Sequence, residues 1–219
     1  MPRMLFEKTG NAIWISHLDL MRVFQRAFKR SGFLLKHSQG FNPRPLVSIA
    51  LPLSVGVESY CELLDFELES DGIGNDELLF RLNNNLISGV RVLSIYDSGM
   101  KIRELSYLSA QIVLEYDNGI PAGAPERISK LFTEQSLIVP KKTKNGLQNQ
   151  DIIPMIQNMD VSSDDEHVLV LKCVICCQNP TLNPAQIVTA IEMHLPDLKP
   201  DFSKCSRLEI YDKNNQVFR

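Results

Sequence analysis

Four cations recur within nine residues of this chain: Arg22, Arg26, Lys29 and Arg30. At about 100° per residue on a helix they fall within about a third of the circumference. Leu20, Val23, Phe24, Ala27 and Phe28 fall on the opposite side. Such a helix buries its apolar face and presents the cations outward. Three of the four are arginine, whose guanidinium fork matches phosphate oxygens. The stripe therefore reads as a phosphate-contacting surface. The plain alternative is the solvated face of an amphipathic helix. Asp19 lies on the cationic side, three residues before Arg22, at the spacing of a helical ion pair.

A second group sits in the loop Ser38-Gln39-Gly40-Phe41-Asn42-Pro43-Arg44-Pro45. Gly40 and Asn42 tolerate positive φ, and the two prolines fix the chain after the turn. Phe41 at the tip either anchors inward, the commoner arrangement, or faces outward as a stacking platform. Gln39, Asn42 and Arg44 around it are hydrogen-bonding side chains. A rigid loop with an aromatic, an arginine and amides suits recognition of unstacked bases and phosphates. Arg22, Arg26, Lys29, Arg30, Gln39, Phe41, Asn42 and Arg44 are thus the candidate nucleic-acid-binding set. His17, Asp19, His37, Ser38 and Glu58 are further candidates for function.

No complete catalytic constellation is legible. His17 and His37 could serve acid–base chemistry if the fold brings them together, although structural or surface histidines are commoner. Two histidines without further His, Cys or Asp spacing do not make a metal site. Cys173-Val174-Ile175-Cys176-Cys177 contains a CxxC, but in a strand Cys173 and Cys177 share one face and Cys176 lies on the other. Redox pairs of this type sit at helix starts, so buried strand thiols are expected. There is no CxxxCxxC, no GxxxxGK[ST] and no GxSxG. No cofactor and no metal are expected.

The elements that must position these residues follow from local signals. Arg3 to Thr9 reads as a strand ending at the turn Gly10-Asn11, and Ala12 to Ile15 as a second extended piece. Ser16 caps a helix that runs to about Ser31, and Gly32 is placed to end it. Phe33 to Lys36 is extended. Val47 to Leu51 and Glu62 to Glu69 read as strands. Asn75 caps a helix from Asp76 to about Leu86, and Gly89 to Tyr96 is a strand. This order, β, α, β, β, α, β, is that of a ferredoxin-like unit.

The second half repeats the order. Ser106 to Tyr116 alternates as a strand does. Pro125 to Gln135 is a helix. Leu137 to Lys142 is extended, Lys141 to Gly146 is a hairpin tip, and Asp151 to Met159 is strand or helix. Val168 to Cys177 is a strand. Pro184 to Leu195 is a helix capped by Asn183, and Arg207 to Tyr211 is the last strand. The expected fold is α+β, two ferredoxin-like units with antiparallel sheets. One spans 1–99 and the other 104–219, with a polar link over Asp97 to Glu104.

Composition sets outer bounds. The 219 residues are 44% hydrophobic and 22% charged, as in ordinary globular domains. The net charge of -3 excludes a globally basic nucleic-acid binder but not a local patch. Residues 1–45 hold eight bases and two acids, a net of +6, while the remainder holds fifteen bases and twenty-four acids, a net of -9. Glu7 and Lys8 interrupt any signal-peptide core, and no apolar run is long enough to span a bilayer. Five cysteines without framework spacing fit reduced thiols. A cytoplasmic protein without a membrane partner is expected.

Phe6-Glu7-Lys8-Thr9-Gly10, Ser16-His17-Leu18-Asp19-Leu20-Met21-Arg22, Ser38-Gln39-Gly40-Phe41-Asn42-Pro43 and Leu53-Ser54-Val55-Gly56-Val57-Glu58-Ser59 form a series. It resembles a bacterial family of uncharacterised radical-SAM-linked, or radical-SAM-associated, proteins. The likeness is dense over about residues 4–70 and diffuse afterwards. Arg44 stands where that family commonly has His.

The resemblance implies a partner, a radical SAM enzyme that often carries a cobalamin-binding domain. It also implies an accessory role beside that enzyme, presenting an RNA or ribosome-related substrate. The inferred pair of units is also similar to CRISPR repeat-processing endoribonucleases. Those typically hold RNA with a glycine-rich loop near the carboxyl end, whereas residues 196–219 contain no glycine. The leading expectation is a non-catalytic accessory protein with a basic RNA-binding surface on its first unit. The alternatives are a metal-independent endoribonuclease and a purely protein-binding adaptor.

Overall fold

Met4 and Phe6 point to one side of the first strand, β1 (Pro2–Lys8), and are fully buried there. The protein is described by a computed structural model that covers residues 2–70, 72–97, 100–143 and 146–219. Its contacts divide into a first unit, Met1–Ile102, and a second, Arg103–Phe218. The class is α+β, and the paired strands within each unit run antiparallel.

In the first unit β1 is followed by α1 (His17–Arg30), β2 (Val47–Ile49), β3 (Glu58–Phe66), α2 (Asn75–Asn83) and β4 (Val90–Asp97). The strand order is β4-β1-β3-β2. Leu20, Phe24, Ala27 and Phe28 of α1 are buried with Met4, Phe6, Leu64 and Phe66 of the strands. Phe6 meets Phe24 edge-on at 4.8 Å between ring centroids, and Phe28 meets Phe66 at 5.1 Å. Such aromatic pairs add about 0.5–1.5 kcal/mol beyond their buried area. The apolar stripe read from the sequence is therefore what fixes the rotation of α1 about its axis.

Several elements differ from expectation. Residues 12–14 are not extended: Gly10–Trp14 is a 3-10 turn, and only Ile15 is extended. Strand β3 starts at Glu58 rather than Glu62, because pairing of Lys8 with Ser59 extends the ladder backwards. Asn75 lies inside α2 while Gly74 occupies the cap position without a side-chain bond. The helix stops at Asn83, whose side-chain amide accepts from the Val92 N–H and donates to the Val92 carbonyl, tying the helix end to β4. Ser98 and Gly99 of the expected link lie outside the described residues.

The second unit contains β5 (Leu105–Glu115), α3 (Ala124–Leu131), β6 (Ile138–Thr143), β7 (Gly146–Asp151), β8 (Ile156–Ser163), β9 (Val168–Cys176), α4 (Pro184–His194) and β10 (Phe202–Asp212). Its order is β10-β5-β9-β8. Leu108, Ala110, Ile112 and Leu114 of β5 and Leu169, Leu171 and Ile175 of β9 are buried, as are Ile128, Ile187 and Ile191 of the helices.

The extended piece at 137–142 is not a strand of this sheet. It forms β6, which among the described residues pairs with β7 alone, and the strand beside β9 is β8. Lys144 and Asn145 of the expected tip lie outside the described residues. Asp151 holds the hairpin base by accepting from the Leu137 and Ile153 N–H groups. Strand β10 begins five residues before the expected Arg207. Lys204 and Cys205, two unlike residues, become strand because β5 offers a partner along their whole length. No helix among the described residues is long and apolar enough to cross a membrane.

Candidate nucleic-acid interface

A lysine inside the first unit builds the site. Lys8 is 1% exposed, and its ammonium donates to the carbonyls of Ile13 at 3.1 Å and Ile15 at 2.9 Å. These acceptors bracket Trp14. The Gly56 N–H donates to the same Ile13 carbonyl at 2.9 Å. Glu62, also 1% exposed, accepts from the Ser59 hydroxyl at 2.6 Å. Burial lowers the Lys8 ammonium from its ordinary value, while the charge of Glu62 acts to raise it. Lys8 of the 6–10 segment and Gly56 of the 53–59 segment thus meet on the Ile13 carbonyl, just before the 16–22 segment begins. The turn at Gly10–Trp14 and the extended Ile15 after it bring both carbonyls onto that ammonium.

Two glycines complete the turn. Gly89 accepts the Thr9 N–H at 2.8 Å, and a Cβ on it would lie 2.3 Å from the Thr9 carbonyl oxygen. Gly56 has φ +83°, and a Cβ there would touch the Trp14 ring at 3.3 Å. Trp14 is nevertheless 66% exposed.

The turn leads directly into α1. Ser16 caps it: its hydroxyl accepts from the Asp19 N–H and donates to the Asp19 carboxylate at 2.7 Å. Arg22 pairs with Asp19 at 2.7 Å. The Ser16 hydroxyl, then Arg22, hold the Asp19 carboxyl below its ordinary value. Arg22, Arg26, Lys29 and Arg30 are all exposed. Arg26, Lys29 and Arg30 have no side-chain hydrogen bond or ion pair among the described residues. Arg26 is instead felt by Asp19 through space.

The 38–45 loop is stapled at its base. The Ser38 N–H donates to the Arg44 carbonyl at 2.8 Å, and the Arg44 N–H to the Ser38 hydroxyl at 3.0 Å. The Leu46 N–H donates to the Lys36 carbonyl at 2.7 Å, and Lys36 pairs weakly with Glu67 at 3.8 Å. Gly40 sits at φ +130°. Phe41 does not take the commoner inward position; it is fully exposed, as are Gln39, Asn42 and Arg44.

The remaining candidates are scattered. His17 is half-buried on the first turn of α1 and His37 is exposed at the loop base. No hydrogen bond joins them or engages either imidazole among the described residues. Glu58 is withdrawn from solvent at the start of β3. Among the described residues no three of His, Cys, Asp and Glu are grouped to hold a metal ion. In the second unit Cys173 and Cys177 are buried and Cys176 is half-buried. Burial pushes the Cys173 thiol up to about 12 and the Cys177 and Cys205 thiols to about 11. At neutral pH these thiols carry no nucleophilic thiolate.

Sequence reasoning missed Lys8, Trp14 and Gly56 as a set. The usable signal was a lone tryptophan just after a Gly-Asn turn, in a segment with no helical or strand period.

Comparison with known proteins places the fold and the family. A chain in the crystal structure of a Cbf5-Nop10-Gar1 complex matches with a TM-score of 0.51 at 10% identity, covering 95% of this chain and 48% of that one. This protein therefore spans about half the length of that chain, and the two share a fold. A structure of an unknown protein from Galdieria sulphuraria gives a TM-score of 0.26 at 8% identity, over 94% of this chain and 96% of that one. No curated protein matches. A family profile described as an uncharacterised protein conserved in bacteria (DUF2344) matches residues 2–184, and the chain belongs to that family.

Proposed function

We propose that this protein is an accessory factor that binds RNA on its first unit and supports a radical SAM enzyme. The observation that carries the RNA reading is the set Arg26, Lys29 and Arg30. They are exposed on one side of α1 and without ion-pair partners among the described residues. Solvated cations held in a row on a rigid helix suit phosphate oxygens, which would displace only water and counterions. The stapled loop adds an exposed aromatic, Phe41, with amides and Arg44 beside it. The radical SAM partner rests on the motif resemblance, and the acidic second unit is the surface offered to it. The strand orders β4-β1-β3-β2 and β10-β5-β9-β8 support reading each unit as ferredoxin-like, with the β6–β7 hairpin inserted in the second.

Filter binding of cellular RNA at two salt concentrations tests the RNA reading. Affinity should fall steeply with salt. Replacing Arg26 and Arg30 by Gln should lessen the log–log slope by about 1.4, at roughly 0.7 per phosphate contact on a single strand. Absent binding, or equal binding at both salts, rejects it.

A further inference from the structure

Trp14 is the only tryptophan of the chain, and the fold holds it in place while leaving it wet. The carbonyl before its peptide, on Ile13, accepts two hydrogen bonds, and the carbonyl after it, on Ile15, accepts one. Two of the three come from a buried ammonium. The indole lies against Gly56, where even one methyl group would press on the ring. Tryptophan offers about 150–250 Å² of apolar surface, and here 66% of the residue faces solvent. A side chain fixed in advance loses little entropy when a ligand covers it.

The surroundings select the ligand. Two residues, Ile15 and Ser16, separate Trp14 from His17, so the ring begins within about 10 Å of the start of α1. Arg22, Arg26 and Arg30 follow about 8, 14 and 20 Å further along the axis. Leu18, 67% exposed, stands one turn before Arg22 on the same helical line. An exposed aromatic at the head of a cationic row fits a single nucleic-acid strand, whose bases stack on rings while its phosphates meet cations. An uncharged apolar pocket on a protein would gain nothing from that row.

Building on the RNA reading above, we infer that Trp14 is the stacking platform for one unpaired base of a strand whose phosphates run along α1. The site therefore distinguishes single-stranded from fully paired RNA. Phosphate contact alone would not.

The intrinsic emission of Trp14 reports on this directly. The intact protein is titrated with an oligoadenylate and with a blunt RNA duplex at low salt, and filter binding is run in parallel. Quenching should saturate with the oligoadenylate binding curve and be absent with the duplex. Trp14→Ala should weaken oligoadenylate binding about 5- to 100-fold, and Trp14→Phe should retain most of it. A thermal melt checks that each variant folds.

If the oligoadenylate binds on the filter while emission stays unchanged and Trp14→Ala binds equally well, the inference is overturned and the electrostatic reading survives. The exposed indole would then be a protein contact. If no RNA binds at all, both fall together.

Discussion

The Lys8 ammonium lies 2.9 Å from the carbonyl oxygen of Ile15, inside the first unit and out of water. A buried ammonium is tolerated only with a full set of acceptors and a compensating charge. Ile13, Ile15 and the nearby Glu62 supply them. Lys8→Met would take the ammonium donor from the Ile15 carbonyl, leave the Ile13 carbonyl with the Gly56 N–H, and remove a positive charge that interacts with Glu62. The expected loss of stability is about 3–5 kcal/mol, read from urea denaturation. Adding Glu62→Gln should restore part of it; strict additivity of the two would show that the charges are not coupled.

Gly89 and Gly56 should respond differently to alanine. At Gly89 the new methyl meets backbone, the Thr9 carbonyl oxygen at 2.3 Å, and φ is +84°. Neither can relax cheaply. A loss of about 2–5 kcal/mol is expected, combining steric and left-handed strain. At Gly56 the neighbour is the Trp14 ring at 3.3 Å, which need give by only a few tenths of an ångström. That variant should lose about 1–2 kcal/mol, mostly backbone strain, and shift the tryptophan emission. Denaturant midpoints for the two proteins check the ranking.

Alkaline pH should weaken the second unit through its thiols. Burial raises Cys173 to about 12 and Cys177 and Cys205 to about 11, from an ordinary 9.0. The folded state therefore keeps protons that the unfolded chain releases. Stability is fully present below pH 9 and declines as pH rises towards 11–12. In native protein at pH 8 these three thiols should react with a disulfide reagent far more slowly than in urea. Rapid labelling of Cys173 without denaturant would contradict the burial.

The acid side is governed by two exposed carboxylates, Asp19 and Asp197, and a half-buried one, Asp151. Asp151 accepts from the Leu137 and Ile153 N–H groups, Asp197 from Arg127 at 2.6 Å, and Asp19 from Ser16 and Arg22. All three are held below the ordinary 3.8, chiefly by those hydrogen bonds. Their contribution is present above that value and is lost as pH falls through the lowered one. Asp151→Ala should speed amide exchange at Leu137 and Ile153 and across β6 and β7. Unchanged protection there would mean that the hairpin does not depend on its aspartate.

Much of the molecule was legible where one short-range rule decides. The stripe of Leu20, Phe24, Ala27 and Phe28 against Arg22, Arg26, Lys29 and Arg30 specifies both faces of α1, because a 3.6-residue period leaves no other arrangement. Ser16 with Asp19, and Asn183 with Pro184, mark helix starts through local capping signals. Alternation from Leu108 to Leu114 marks β5. The tertiary structure decided what depends on partners distant in sequence. The 3-10 turn at Gly10–Trp14 exists because Lys8 and Gly56 claim its carbonyls. The backward extension of β3 to Glu58, and of β10 to Phe202, follows from neighbouring strands that no local pattern reveals. The outward turn of Phe41, on a loop whose stem is closed between Ser38 and Arg44, is likewise set by no local pattern. Periodicity encodes which face a residue shows; only packing determines which distant backbone groups that face will meet.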